Sequence, residues 1–253
     1  KLKNPTHQVN IGLVGKYIEL TDSYKSILES LIHAGTENEA KIIVKSIHSE
    51  HINKENISKD LKGLDGIIVA PGFGQRGLDG KILAVEYARK NKIPFLGICL
   101  GMQMAVIEYA RNVKKIRYAN STEISEKCKD PVIDLMISQK EIVNKGGTMR
   151  LGAWDCEIQK KTNSYNAYKK KLVSERHRHR YEFNNNYSKR IFDDKFIVSG
   201  YNPETKLVEI VENIDHPWFV GVQFHPEYKS SVYNPHPIFV NFVKASLKNY
   251  LNK

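Results

Sequence analysis

Cysteine is scarce in this sequence, which has three cysteines in 253 residues: Cys99, Cys128 and Cys156. Their odd number and the lack of a Cys-x-x-Cys spacing argue against a disulfide framework or a structural zinc site. They favour a reducing, cytoplasmic setting, in which a single cysteine is either buried or chemically active.

Long apolar runs are absent as well. No stretch approaches the ~20 continuous apolar residues of a membrane helix, and no signal-peptide pattern opens the chain, so we expect no membrane partner. The sequence also lacks the G-x-x-x-x-G-K-[ST] pattern of a phosphate-binding loop. Because the first residue is Lys1 rather than Met, we expect the chain to be a piece of a longer protein.

Positive charge is in excess, with a formal net charge of +11. The lysines are mostly dispersed among 28 acidic residues, and two basic clusters stand out, Lys160–Lys171 and Glu175–Tyr181. No nucleic-acid recognition motif accompanies them, so we expect no nucleic-acid partner. A basic binding module without activity remains an alternative, and the first cluster is interpreted as a solvated loop.

Strand and helix patterns alternate through the first half of the chain, which favours an α/β fold with an open, mostly parallel sheet and helices on both faces. The first helix is expected to begin after Thr21, Asp22 or Ser23 and to end at Gly35. The predicted strands are Val9–Gly15, Lys41–Ile47, Gly66–Gly72 and Ile93–Cys99, and the predicted helices are Asp22–Gly35, Leu78–Asn91 and Met102–Arg111.

The second half is less regular. Between Cys128 and Arg180 the periodicity weakens, which indicates loops, short strands and an exposed insertion. Order returns with three predicted strands and a final helix, and no linker divides the chain, so one domain is expected. These segments are Lys195–Asn202, Lys206–Glu212, Trp218–Glu227 and His236–Leu251.

Cys99 lies in the pattern Gly97-Ile98-Cys99-Leu100-Gly101, between a predicted strand and a predicted helix. This is the form of a nucleophile elbow, in which flanking glycines allow a sharp turn that exposes the nucleophile. The positive end of the following helix would stabilise a thiolate. Cys99 is therefore the candidate nucleophile, with a buried structural cysteine as the alternative.

His225 and Glu227 follow another apolar strand in the stretch QFHPE. Residues two apart in an extended strand share a side, so Glu227 is expected to orient His225 as the base for Cys99. A His-Pro turn with a surface glutamate is the alternative. The four competing candidates among the other histidines lack this strand-end context; they are His177, His179, His216 and His236.

An oxyanion hole needs two N–H donors. The backbone N–H of Leu100, directly after the nucleophile, is expected to be one. The second is expected from the neighbouring turn Ala70–Gly74, at Gly72 or Phe73. A phosphate cradle or a plain turn would give the same glycine pattern.

The elbow GICLGMQ and the later FHPE resemble class I glutamine amidotransferases. More narrowly, GKYIEL, GGTMRLG and RHRHRYE resemble the glutaminase domains of CTP synthases, and the similar stretches run in order from about Val9 to the final helix. The resemblance implies a flavodoxin-like sheet and one amidotransferase domain over residues 1–253. Residues 1–8 would be a linker from a missing N-terminal synthetase domain.

The resemblance also implies site residues. Cys99 would attack the side-chain amide of L-glutamine, with His225 and Glu227 completing a triad. Leu100 and Gly72 match oxyanion-hole positions. The remaining matches are glutamine-binding positions: Gln103, Glu123 and Arg180. In charge, Glu123 suits the α-ammonium group of glutamine and Arg180 its α-carboxylate.

Further expectations concern the missing half. It would bind ATP, Mg²⁺ and UTP, with GTP as an activator, and the full enzyme would be a homotetramer; no cofactor or metal is expected in this domain. One departure is Pro71, which stands where the family commonly has glycine and has no N–H to donate. The alternative enzyme is a γ-glutamyl hydrolase, which would need the triad but not Glu123 and Arg180.

Overall fold

In the computed structural model, which describes residues 5–17, 22–135 and 149–253, strands and helices alternate along the first half of the chain. The two central strands, Gly66–Val69 and Phe95–Ile98, are buried at every residue, as expected for parallel strands covered on both faces. The elements are β1 (His7–Gly15), α1 (Lys25–Glu37), β2 (Ala40–His48), α2 (Ile57–Leu61), β3 (Gly66–Val69), α3 (Leu78–Lys90), β4 (Phe95–Ile98) and α4 (Leu100–Asn112).

The second half contributes mainly strands, followed by a long C-terminal helix. The elements are β5 (Ala119–Ser121), β6 (Asp130–Leu135), β7 (Arg150–Ile158), α5 (Asn163–Tyr168), β8 (Leu172–His179), β9 (Tyr181–Phe183), α6 (Ser188–Ile191), β10 (Phe196–Tyr201), β11 (Val208–Asn213), β12 (Phe219–Val222) and α7 (Pro237–Leu251).

Nine strands form one sheet in the order β2-β1-β3-β4-β12-β11-β10-β7-β8. The pairings are parallel from β2 to β12 and antiparallel from β12 to β8. Strands β5, β6 and β9 form a separate small sheet. The α/β fold is therefore confirmed, with a parallel part that carries the strand ends of interest and an antiparallel extension.

Apolar side chains cover both faces of the parallel part. Helices α3 and α4 pack on one face, in a core that includes Val85, Phe95 and Met104. Helices α1 and α7 pack on the other, in a core that includes Leu31 and Phe242. Helices on both faces, as expected from the sequence, direct the carboxyl ends of the parallel strands to one edge. No helix in the described part of the chain is long and apolar enough to cross a membrane.

The expected end of the first helix was wrong. Helix α1 continues past Gly35 to Glu37 and is followed by Asn38, whose side chain donates to the carbonyl of Ala34 (2.8 Å). Gly35 serves packing instead, because a Cβ there would lie 2.7 Å from the carbonyl oxygen of Ala40. The helix begins at Lys25, after Tyr24, and the candidate cap Thr21 lies outside the described residues.

The expectation of loops and short strands between Cys128 and Arg180 was wrong in part, because two long strands lie there beside the short strand β6. Strands β7 and β8 pair antiparallel over eight positions, from Arg150 opposite His179 to Glu157 opposite Leu172. The basic insertion between them, interpreted as a solvated loop, contains helix α5. The buried carboxylate of Glu212 accepts the N–H groups of Asn163 and Ser164 at the start of α5, which fixes the insertion to β11.

Candidate active site

Cys99 lies between β4 and α4, at the carboxyl edge of the parallel strands. Its φ of 51° and ψ of −103° put a residue with a side chain in a sparsely populated region of backbone space. Its N–H donates to the carbonyl of Val222 at the end of β12 (2.7 Å). The strained turn is therefore held by the neighbouring strand. Cys99 is only 3% exposed, so the expectation that the turn exposes the nucleophile was wrong: the residue is enclosed by its neighbours.

The two glycines around Cys99 are required by close contacts. A Cβ on Gly97 would lie 2.7 Å from the carbonyl oxygen of Gly101. A Cβ on Gly101 would lie 2.1 Å from the carbonyl oxygen of Val69. Helix α4 thus crosses β3 and β4 at backbone contact distance, and its first N–H groups, beginning with Leu100, have no acceptor within the helix.

His225 and Glu227 form a direct contact, with His225 Nδ1 2.7 Å from Glu227 Oε1. The local structure differs from the predicted strand, because β12 ends at Val222 and a 3-10 helix runs over Pro226–Lys229. Glu227 therefore reaches the ring across a helical turn rather than along an extended strand. The N–H of His225 donates to the carbonyl of Arg176 (2.8 Å).

The charge environment of His225 favours the imidazolium. Burial lowers its pKa, but the negative charges of Cys99 and Glu227 outweigh burial and raise the pKa to about 11. The interaction with Cys99 indicates that the thiol and the imidazole share one site. A protonated His225 beside the sulfur is the arrangement that activates a cysteine nucleophile.

A buried amide connects Cys99 to helix α4. Gln103 Nε2 donates to the carbonyl of Tyr181 (2.9 Å) and to Gln223 Oε1 (3.2 Å). Gln223 Nε2 in turn lies 3.7 Å from Cys99 Sγ. Gln223 and Tyr181 were missed as site residues. Each borders a motif residue in the sequence, but their roles depend on contacts across the sheet.

Glu123 and Arg180 both act electrostatically on Tyr181. Burial raises the pKa of Tyr181, the charge of Glu123 adds to the rise, and the charge of Arg180 opposes it. Glu123 follows β5, and its Oε1 accepts the N–H of Gly74 (2.8 Å). Arg180 is half-buried at the turn between β8 and β9. The three expected glutamine-binding side chains thus come from three separate parts of the chain to one region.

The turn of residues 70–74 lies against the start of α4. A Cβ on Gly72 would meet Leu100 Cδ2 at 3.7 Å and Lys81 Nζ at 3.6 Å. The two expected oxyanion donors are thus neighbours, and Lys81 is a further residue that the sequence reasoning missed. The carbonyl of Phe73 accepts a hydrogen bond from Lys16 Nζ, which ties the turn to the end of β1.

No group of three or more His, Cys, Asp or Glu side chains within residues 5–17, 22–135 and 149–253 is arranged to hold a metal ion. Cys156 is buried and Cys128 partly buried, away from the motifs above. Burial raises the pKa of the Cys156 thiol, with Glu209 and Glu175 adding to the rise. Both cysteines are poor thiolate formers by comparison with a cysteine at a helix N-terminus.

A cysteine elbow beside a His-Glu pair, at the carboxyl edge of a doubly covered parallel sheet, defines a class of thiol-dependent acyl-transfer enzymes. A family model described as "Glutamine amidotransferase class-I" matches residues 19–245. The chain therefore belongs to the class-I glutamine amidotransferase family.

Within that family the chain is similar to CTP synthases. The CTP synthase of Christiangramia forsetii is 62% identical over 244 residues, which are 96% of this chain and 45% of that protein. The CTP synthase of Flavobacterium johnsoniae is 61% identical over 247 residues, which are 98% of this chain and 46% of that protein. The chain thus spans less than half the length of these curated relatives.

A solved structure gives the same assignment for the fold. The glutaminase domain of the Trypanosoma brucei CTPS, solved with bound acivicin, is 38% identical and superimposes with a TM-score of 0.89. The match covers 95% of this chain and 94% of that one. The similarity therefore extends over a complete glutaminase domain rather than over the elbow alone.

Proposed function

We propose that this chain is the glutaminase domain of a CTP synthase, which releases ammonia from L-glutamine. The observation that carries the proposal is the joint position of the Cys99 elbow, the His225–Glu227 contact at 2.7 Å and the Glu123 and Arg180 charges. The similarity to CTP synthases along nearly the whole chain supports the substrate assignment. It does not favour the γ-glutamyl hydrolase alternative.

Substrate recognition follows from the charges of free glutamine. The guanidinium of Arg180 would pair with the α-carboxylate, and the carboxylate of Glu123 with the α-ammonium group. Gln103 contributes through the buried amides that fix Gln223 beside the sulfur. Together these groups would hold the side-chain amide of the substrate against Cys99.

The first chemical step forms a carbon–sulfur bond. The thiolate of Cys99 attacks the amide carbon, and the amide oxygen becomes an oxyanion that the N–H groups of Leu100 and Gly72 stabilise. His225 then gives its proton to the amide nitrogen, the carbon–nitrogen bond breaks, and ammonia leaves. A glutamyl thioester on Cys99 remains, and Glu227 holds the imidazole in place throughout.

The second step regenerates the enzyme. His225 takes a proton from water, the resulting hydroxide adds to the thioester carbon, and the carbon–sulfur bond breaks. Glutamate leaves, and Cys99 returns to the thiolate. No metal or cofactor takes part in either step, because the charge stays on sulfur, oxygen and imidazole.

The use of the ammonia belongs to the part of the relatives that this chain does not span. We propose that a fused synthetase domain there consumes ATP, with Mg²⁺, to aminate UTP to CTP, that GTP activates the enzyme, and that the full-length protein is a homotetramer. The described residues of this chain include no group of three or more side chains arranged for a metal ion, and the sequence has no P-loop.

Labelling with 6-diazo-5-oxo-norleucine, an electrophilic glutamine analogue, tests the proposal. Mass spectrometry should locate a single adduct on Cys99, and excess glutamine should prevent it. Cys128 and Cys156 serve as internal controls, because neither lies at a helix N-terminus beside a histidine. Labelling that is equal at all three cysteines, or insensitive to glutamine, would contradict a glutamine site at Cys99.

A further inference from the structure

Lys81 is a buried cation that the proposed reaction does not use. It lies in the first turn of α3 and is only 1% exposed. Its side chain is among the largest that are fully buried in the described part of the chain. Burying an ammonium group costs several kcal/mol unless other groups compensate, on the order of the penalty for any buried ion. Its position therefore needs an explanation.

The ammonium group lies under the oxyanion turn. Lys81 Nζ donates to the carbonyl of Ala70 (2.7 Å), where β3 gives way to the turn. It also lies 3.6 Å from the place that a Cβ on Gly72 would occupy, and Leu100 Cδ2 lies 3.7 Å from the same place. The cation is thus adjacent to both residues that are expected to bind the oxyanion.

The charged groups around Lys81 include the nucleophile. Burial and the charge of Lys16 lower the pKa of Lys81 to about 7, while Cys99 and Glu123 act in the opposite direction. Lys16 comes from the end of β1, Glu123 from the segment after β5, and Cys99 from the elbow. A negative charge on Cys99 and a proton on Lys81 therefore favour each other.

We propose that Lys81 is a positioning residue for the thiol chemistry, which places a buried positive charge beside Cys99 and anchors the oxyanion turn through the carbonyl of Ala70. The inference rests on the proposed function and adds a residue to it. Pro71 has no N–H with which to hold the turn in place. The hydrogen bond from Lys81 to the carbonyl of Ala70 would therefore fix the direction of the Gly72 N–H.

The charge has a use in both states of the reaction. Negative charge would lie on the sulfur before attack and on the oxyanion after it. Lys81 acts electrostatically on Cys99, and its ammonium group lies by Gly72, the expected oxyanion donor. In a site with little water, a protonated ammonium group stabilises such groups more strongly than it would in solution. A residue that only supported the fold would have no effect on the ionisation of Cys99.

Two substitutions test the charge, one without and one with a remaining hydrogen-bond donor. Lys81→Met removes the charge and the donor, and Lys81→Gln removes the charge but keeps a donor. Lys90→Met is the matched control, because Lys90 is an exposed lysine in the last turn of the same helix, paired with Glu86. The rate of Cys99 alkylation by iodoacetamide is measured from pH 5 to pH 9 and assigned by mass spectrometry, with the melting temperature recorded for each variant.

Both Lys81 variants should shift the alkylation profile of Cys99 to higher pH by about one unit, which is a tenfold lower rate below the midpoint. The kcat for glutamine should fall, with a smaller change in KM. The melting temperature of Lys81→Met should stay the same or rise, because a buried ion is replaced by an apolar side chain of similar volume. Lys90→Met should match the wild type.

The proposal would be overturned if the pH profile of Cys99 alkylation in either Lys81→Met or Lys81→Gln coincided with that of the wild type. The alkylation measurement needs no glutamine. It therefore tests Lys81 independently of the proposed function, which fails instead if the wild-type protein hydrolyses no glutamine. If Lys81→Met does not fold, the Lys81→Gln profile alone decides.

Discussion

Arg180 differs in burial from the other arginines of the RHRHR stretch because it lies at the turn between β8 and β9. Residues of β8 alternate in burial, so that His177 and His179 are buried while Arg176 and Arg178 are exposed. Arg180 leaves this alternation because the strand has ended, and it lies half-buried near Tyr181. Among the three arginines of the RHRHR stretch, it is therefore the one suited to hold a bound carboxylate.

Arg180→Ala should raise the KM for glutamine about 10- to 100-fold, because a charge-assisted hydrogen bond contributes about 1.5–3 kcal/mol. The kcat should change much less, since the triad is untouched. Steady-state ammonia release measures both constants. Arg178→Ala is the matched control and should leave them unchanged; an unchanged KM in Arg180→Ala as well would favour the γ-glutamyl hydrolase alternative.

At this scale the sequence identified the residues that stand in short local patterns. Cys99 has its two glycines, and His225 and Glu227 share the stretch FHPE, so each is recognisable within a few residues. Gln223 and Lys81 could not be assigned in that way. Gln223 contacts a residue 124 positions away, and Lys81 looks like an ordinary lysine in the first turn of a helix.

The crossing of α4 over β3 is the element that sets the elbow. Its closest point is Gly101 against the carbonyl of Val69, where no side chain fits. The strain at Cys99 is maintained because this contact and the hydrogen bond to Val222 fix the chain on both sides. The elbow therefore depends on close packing between a helix and two strands, and not on the turn alone.

Gly101→Ala should destabilise the protein by about 3 kcal/mol, because a Cβ placed 2.1 Å from the carbonyl oxygen of Val69 forces α4 away from the sheet. The gain in helix propensity, about 1 kcal/mol, offsets part of the loss. Urea unfolding followed by circular dichroism gives the difference.

Gly72→Ala is the matched control for stability. Its Cβ would make only ordinary contacts, at 3.6 Å and 3.7 Å, so its unfolding free energy should stay within about 0.5 kcal/mol of the wild type. Equal stabilities of Gly101→Ala and the wild type would show that the crossing is not tightly packed.

Strands and helices with a pattern of apolar residues were predictable from the sequence. Elements whose buried positions carry polar side chains were not. The parallel strands were found because their residues are nearly all apolar. Strand β8 was missed because its buried positions are Glu175, His177 and His179, which have no hydrophobic alternation. The 3-10 helix at Pro226–Lys229 was missed because a His-Pro step fits a strand end equally well.

A buried ionic network connects the two sheets of the molecule. Arg150 in β7 lies 3.4 Å from Glu182 in β9 and 2.7 Å from Glu209 in β11. His177 lies 3.4 Å from Glu209 and His179 3.8 Å from Glu182. Arg150, from the GGTMRLG stretch, thus meets His177, His179 and Glu182 of the RHRHRYE stretch inside the protein, which accounts for polar residues that the surface does not explain.

The network makes stability depend on pH. Burial raises the pKa of Glu182 to about 8 and that of Glu209 to about 7, against the opposing charge of Arg150. Burial lowers the pKa of both His177 and His179. The charges of His179 and Arg150 lower the pKa of His177 further. The charge of Arg150 does the same for His179. The folded state therefore keeps protons on the carboxyl groups and excludes them from these two imidazoles.

The sign of the effect differs on the two sides of neutrality. Carboxyl groups with raised pKa values stabilise the fold most at low pH. This stability declines from their usual value of 4.5 and is lost once the pH has passed about 7 for Glu209 and about 8 for Glu182. His225, with a raised pKa of about 11, acts in the same direction. Histidines with lowered pKa values cost stability as the pH falls below about 6.5, their usual value. Stability should therefore be greatest on the acidic side of neutrality and fall as the pH rises above about 6.5, where these carboxyl groups and His225 all lose their contribution.

The free energy of unfolding should be lower at pH 9 than at pH 6.5 by an amount on the order of 2 kcal/mol. Urea titrations at both values measure it. In the double variant Glu182→Gln, Glu209→Gln the absolute stability falls because Arg150 loses its partners. The difference between the two pH values should nevertheless shrink, because two of the titrating groups are gone. A difference as large as in the wild type would assign the alkaline loss to other groups, His225 first among them.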